Sequence, residues 1–100
     1  MDFVANYIHF RTQYEKMIKN YGVTTLAEEE IFKNKYDKKF IYYATLWADT
    51  DCEFVGYING ITSSVKVKGN QSVEIKDFIP WDSLVIKAPI GTNYDILLGL

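Results

Sequence analysis

At Asn59-Gly60 two residues that tolerate positive φ stand side by side between two apolar, β-branched runs. A two-residue type I′ turn needs positive φ at both central positions, so this dipeptide calls for a tight hairpin. It would join a strand over residues 52–58 to one over residues 61–68, where Val65 and Val67 alternate with Lys66 and Lys68. Gly69-Asn70 makes the next turn, and residues 72–76 the next strand, with Val73 and Ile75 inward. Before the hairpin, residues 39–48 are rich in aromatic and β-branched residues on both faces, which suits a strand covered on both sides. Asp49-Thr50-Asp51 turns the chain back. Residues 78–83 read as a short 3₁₀ turn before a last strand over 84–87, closed by Pro89. Residues 94–100 are apolar, and their pattern does not settle their structure.

The first third reads differently. Phe3, Tyr7, Phe10, Tyr14, Met17 and Tyr21 recur at spacings of four and three, so an amphipathic helix is expected over residues 2–20, ended by Gly22. Thr25 with Glu28 resembles a capping box. Glu28, Glu29 and Glu30 would sit in the first turn of a second helix reaching Tyr36, with Lys33 and Lys35 in its last turn, as the helix dipole favours. The expectation is therefore an α+β fold. Two N-terminal helices precede a five-stranded antiparallel meander, either an SH3-like or Sm-like small barrel or an open sheet with helices on one face.

All 100 residues are expected to form one domain, helical over 1–36 and β over 37–100. Apolar residues make up 48% of the chain and aromatics 16%, enough for a packed core. Cys52 stands alone, so no internal disulfide can form. Asp2, Arg11, Glu15, Lys16 and Lys19 interrupt residues 1–21, leaving no signal-peptide pattern, and no apolar run of membrane-spanning length occurs. The cytoplasm is the expected compartment. The net charge of −2 divides evenly between the two halves, and the cations are ten lysines with Arg11. Scarce arginine counts against sequence-specific reading of nucleic acid. The lysine, isoleucine, asparagine and tyrosine bias suggests an AT-rich gene, as in a low-GC bacterium or its phages.

Ile79-Pro80-Trp81-Asp82-Ser83-Leu84-Val85-Ile86 resembles the turn into the last strand of YolD-like and related Sm-like small barrels. The similarity extends over residues 24–88. It implies a small barrel and an accessory role near nucleic acid linked to DNA repair. The Arg-Gly opening and basic Lys-Trp segment of the YolD-like family have no counterpart here.

No catalytic set emerges, and no cofactor is implied. His9 lacks a partner by spacing. Cys52 lies between Asp51 and Glu53, which raise a thiol pKa and weaken it as a nucleophile. Asp49, Asp51 and Glu53 alternate like possible Mg²⁺ or Ca²⁺ ligands, but without an EF-hand loop; solvated turn residues are the simpler account. The expected function is therefore a non-enzymatic protein-binding module, of the kind by which phages and mobile elements inhibit or adapt a host complex, with a host nucleic-acid-processing complex as the expected partner. Its candidate contact residues are Tyr43, Trp47, Tyr57 and Trp81, with the acidic group Glu28, Glu29 and Glu30. The alternative is a nucleic-acid-binding face made of Lys66, Lys68, Lys76 and Lys87. Self-association through the first helix or through the apolar tail Ile96 to Leu100 is a further expectation.

Overall fold

The Asn59-Gly60 turn forms with φ of 48° at Asn59 and 80° at Gly60, the left-handed pair that a type I′ hairpin requires. Around it, the computed structural model describes residues 16–35, 41–76 and 81–100. They build eight strands: β1 (Met17–Val23), β2 (Glu28–Lys33), β3 (Tyr43–Ala48), β4 (Cys52–Ile58), β5 (Ile61–Val67), β6 (Gln71–Ile75), β7 (Ser83–Lys87) and β8 (Asn93–Gly99). The first sheet has the order β1-β8-β3-β6 and the second β2-β7-β4-β5. Every pairing is antiparallel.

The topology is one long hairpin rolled into two layers. Phe54 faces Val65 and Thr45 faces Glu74, each pair equidistant from the Asn59-Gly60 turn. The ribbon continues through β2 with β7 and β1 with β8, and rolling it sets β3 beside β8 and β4 beside β7. This is the strand order of an eight-stranded jelly roll.

The α+β expectation is thus corrected to all-β. Among the described residues no helix occurs. Met17 to Asn20, expected to end the first helix, lie in β1, and Lys16 before them extends the pairing to Leu100; residues 2–15 of that helix fall outside the described residues, as does residue 36 of the second. Thr25 to Ala27 form a bend that leads into β2. Glu29 Oε1 accepts hydrogen bonds from Thr25 N (2.8 Å) and Thr25 Oγ1 (2.9 Å), so capping chemistry closes a turn before a strand. The five-stranded meander or barrel is replaced by two four-stranded sheets, because β8 inserts between β1 and β3, and β7 between β2 and β4. Residues 39–40 of the expected first strand and 78–80 of the expected 3₁₀ turn lie outside the described residues.

Alternation along each strand puts Leu46, Ile96 and Leu98 of the first sheet against Phe54, Leu84 and Ile86 of the second, all fully buried. Trp81 fills the space over Gly56, where any Cβ would overlap its indole. A register shift between Glu30 and Phe32 turns both Ile31 and Phe32 into this core.

Candidate functional site

The two sheets present very different outer faces. On the second, strand pairing sets Glu28 opposite Lys87, Lys87 opposite Glu53, and Glu53 opposite Lys66. Charge sign alternates at each step across the sheet. Lys87 Nζ lies 3.7 Å from Glu28 Oε1, both side chains well exposed. Lys66, Lys68 and Lys87 share a shallow pocket of about 510 Å³ with Asp51 and Glu53. Lys76 does not join them: it follows β6 on the first sheet, 3.2 Å from Glu74. The four lysines expected to form one face are therefore divided between the sheets, and three of them stand among carboxylates.

The glutamates are divided too. Glu28 and Glu30 are exposed, while Glu29 turns back to Thr25, whose amide and hydroxyl hold its carboxylate below its ordinary pKa. Asp49 accepts from Asn93 N (3.0 Å) and Asn93 Nδ2 (2.7 Å). Those bonds, the side-chain one foremost, lower its pKa. Asp51 Oδ1 accepts from Gly69 N at 2.8 Å. Asp49 and Asp51 thus tie loops together. Among the described residues no three His, Cys, Asp or Glu side chains converge as metal ligands would. Cys52 is half-buried, and burial, with the charge of Asp51, pushes its thiol up to about 11. His9 lies outside the described residues.

The first sheet carries its aromatics outward. In β1 the exposed positions alternate: Lys19, Tyr21 and Val23 face solvent, while Ile18 packs on the core. Tyr21 pairs with Asp95, and Asp95 pairs with Trp47, so the three form one row across β1, β8 and β3. Tyr21 is 72% exposed and Val23 53%; Trp47 is half-buried. They line an open groove of about 500 Å³, edged by Lys19, Asp95 and Asn93.

Of the other expected contact aromatics, Tyr43 and Trp81 are buried. Tyr43 is buried at 4% exposure; its hydroxyl accepts from Thr45 Oγ1 (2.7 Å) and donates to Glu74 Oε2 (2.9 Å). Burial raises the Tyr43 pKa, and its hydrogen bond, then Lys76, lowers that of Glu74. Trp81 belongs to the core. Tyr57 is half-buried on the second sheet, opposite Ser83 and Thr62. The tail expected as an interface is a central strand, with Ile96 and Leu98 fully buried. Tyr21 and Val23 were not among the expected contact residues, because Tyr21 fitted the helical stripe. The alternation of Lys19, Tyr21 and Val23 with Ile18, Asn20 and Gly22 is the local signal for them.

No helix among the described residues is long and apolar enough to cross a membrane. Comparison with protein-family models, curated proteins and solved structures gives no match.

Proposed function

We propose that this chain is a non-enzymatic protein-binding module that docks the outer face of its first sheet onto a protein partner. The observation that carries this reading is the row Trp47–Asp95–Tyr21, with Tyr21 at 72% exposure, beside an open groove. Large aromatic side chains give much contact area for few rotatable bonds, and a polar rim around them is the usual anatomy of a binding hot spot. Lys19, Asp95 and Asn93 supply such a rim.

An inhibitor or adaptor of a host complex, carried by a phage or mobile element, is the setting that the AT-rich composition supports. A cytoplasmic, reducing compartment accords with the lone thiol of Cys52. The nucleic-acid accessory role draws on the lysines of the second sheet. Asp51 and Glu53 stand among Lys66, Lys68 and Lys87, and a locally neutralised surface gains little from counterion release.

The test is affinity capture by the tagged chain from lysate of a low-GC bacterium, with and without nuclease. A protein retained after nuclease by the wild type, and lost with Trp47→Ala and with Tyr21→Ala, is the expected result. Equal retention by both variants sinks the assignment, and partners that vanish with nuclease transfer the function to the lysine face.

A further inference from the structure

We infer that the chain forms a two-fold symmetric dimer in which β1 pairs antiparallel with β1 of a second copy. This goes beyond the docking of the Trp47 face and stands independently of it.

The ladder between β1 and β8 determines which backbone groups of β1 are committed. Lys16 N donates to Leu100 O (3.1 Å), Leu100 N to Lys16 O (2.8 Å), and Thr24 N to Thr92 O (2.8 Å). In an antiparallel ladder the bonded pairs alternate with non-bonded ones. The even-numbered residues of β1 are therefore bonded to β8. Met17, Lys19, Tyr21 and Val23 aim their N–H and C=O groups away from it, and no other strand among the described residues takes them.

The other edges are guarded or shorter. Along β2 the register shift breaks the edge, Glu28, Glu30 and Lys33 are exposed, and Asn20 Nδ2 donates to Ile31 O at 2.6 Å. β6 spans only Gln71–Ile75 and carries the charged Glu74. On β5 the Ile58–Ile61 pair closes the type I′ hairpin, so Thr62, Ser64 and Lys66 point outward: three positions with no large apolar side chain. β1 offers four, two of them the well-exposed Tyr21 and Val23.

The sequence of β1 is complementary to itself in one register. With the two-fold axis at Asn20, Met17 meets Val23 of the second copy and Lys19 meets Tyr21, and all four outward residues of each strand are used. Sliding one way sets Lys19 against Lys19, a like-charge pair. Sliding the other way sets Tyr21 against Tyr21 and leaves Met17 unpaired. In the favoured register, Lys19 of one copy lies beside Tyr21 of the other, whose next neighbour is Asp95. A cation enters the row that already holds the half-buried Asp95 carboxylate, and one continuous sheet runs through both copies. Trp47 stays open, two strands away in the sheet order.

Sedimentation of the full chain over a concentration series tests this. The expected species has twice the chain mass. Tyr21→Pro removes only an outward N–H, so β1 keeps its bonds to β8, and the expected result is loss of the dimer with an unchanged far-ultraviolet circular dichroism spectrum. Lys19→Glu, which needs no backbone adjustment, sets a carboxylate near Asp95 and is expected to weaken the dimer about tenfold or more; adding Asp95→Lys is expected to restore it. A monomer at all concentrations overturns the inference, as does a dimer that survives both Tyr21→Pro and Lys19→Glu. A dimer lost only with Ser64→Pro assigns the contact to β5 and also overturns it. The Trp47 reading is scored separately, by partner retention.

Discussion

The second sheet answers the problem of a solvent face with charge, setting a lysine beside a glutamate at each step from Glu28 to Lys66. The first sheet leaves Tyr21, Val23 and Trp47 around an open groove, with only Lys19, Asp95 and Asn93 to edge it. A face whose charges are neutralised in place is complete in water, and its exposed pairs add only a little stability. A face with exposed aromatic area still has free energy to gain from being covered, roughly 25 cal/mol per Å² of apolar surface. The two tryptophans make the same distinction. Trp81 lies in the core over Gly56, whereas Trp47 stands outside it.

The sharpest way to break this contrast is to truncate each tryptophan. Trp81→Ala is expected to cost about 3–5 kcal/mol of stability, read by urea denaturation, through loss of a buried indole. Trp47→Ala is expected to cost roughly 1 kcal/mol or less while abolishing partner retention. Similar stability losses for the two would erase the distinction between a core and a contact tryptophan.

On the charged face, Glu53→Lys would set three cations side by side with Lys87 and Lys66. A loss of about 1 kcal/mol is expected at low salt, shrinking as salt screens the repulsion, with partner retention unchanged. A salt-independent loss would mean that packing, not charge, holds that face.

Acid reaches the other sheet through two bonded carboxylates. Glu74, bonded by Tyr43, and Asp49, bonded by Asn93, both have pKa values below the ordinary carboxylate range. A lowered folded pKa means that the unfolded chain binds protons more readily. The stability these groups supply is therefore present above about pH 4 and lost as pH falls through their lowered folded values. Glu74→Gln and Asp49→Asn are expected to flatten the acid limb of a stability–pH curve. An unchanged limb would show that those bonds do not couple to folding.

How much of this is visible in the sequence depends on which periods coincide. The strand over residues 52–58 and the Asn59-Gly60 turn are legible because positive φ and β-branching point the same way. Asn70, at φ 63°, marks the next turn for the same reason. β1 is misread because Met17 and Tyr21 are four apart, a spacing common to a helix face and to one side of a strand. β2 is misread because its bulge buries Ile31 and Phe32 together, which breaks alternation and imitates a helix. Thr25 with its nearby carboxylates signals a local cap and does not say which element follows. The pairing of β1 with β8 joins residues that no local pattern connects, so neither the jelly roll nor the contact row of Tyr21 and Trp47 could be assembled from it.

The rolled ribbon also bears on how the chain folds. Pairing Lys19 with Leu97 in an otherwise open chain would require closing nearly the whole length of the protein, and loop-closure entropy rises with the logarithm of that length. Starting from Asn59-Gly60, β4 meets β5 across two residues, and β3 and β6 then meet at the mouth of a hairpin already closed. Each later pair inherits a shortened effective loop. A fold dominated by distant contacts can in this way be reached through successive local closures, with the β1–β8 pair as the last and slowest to lock.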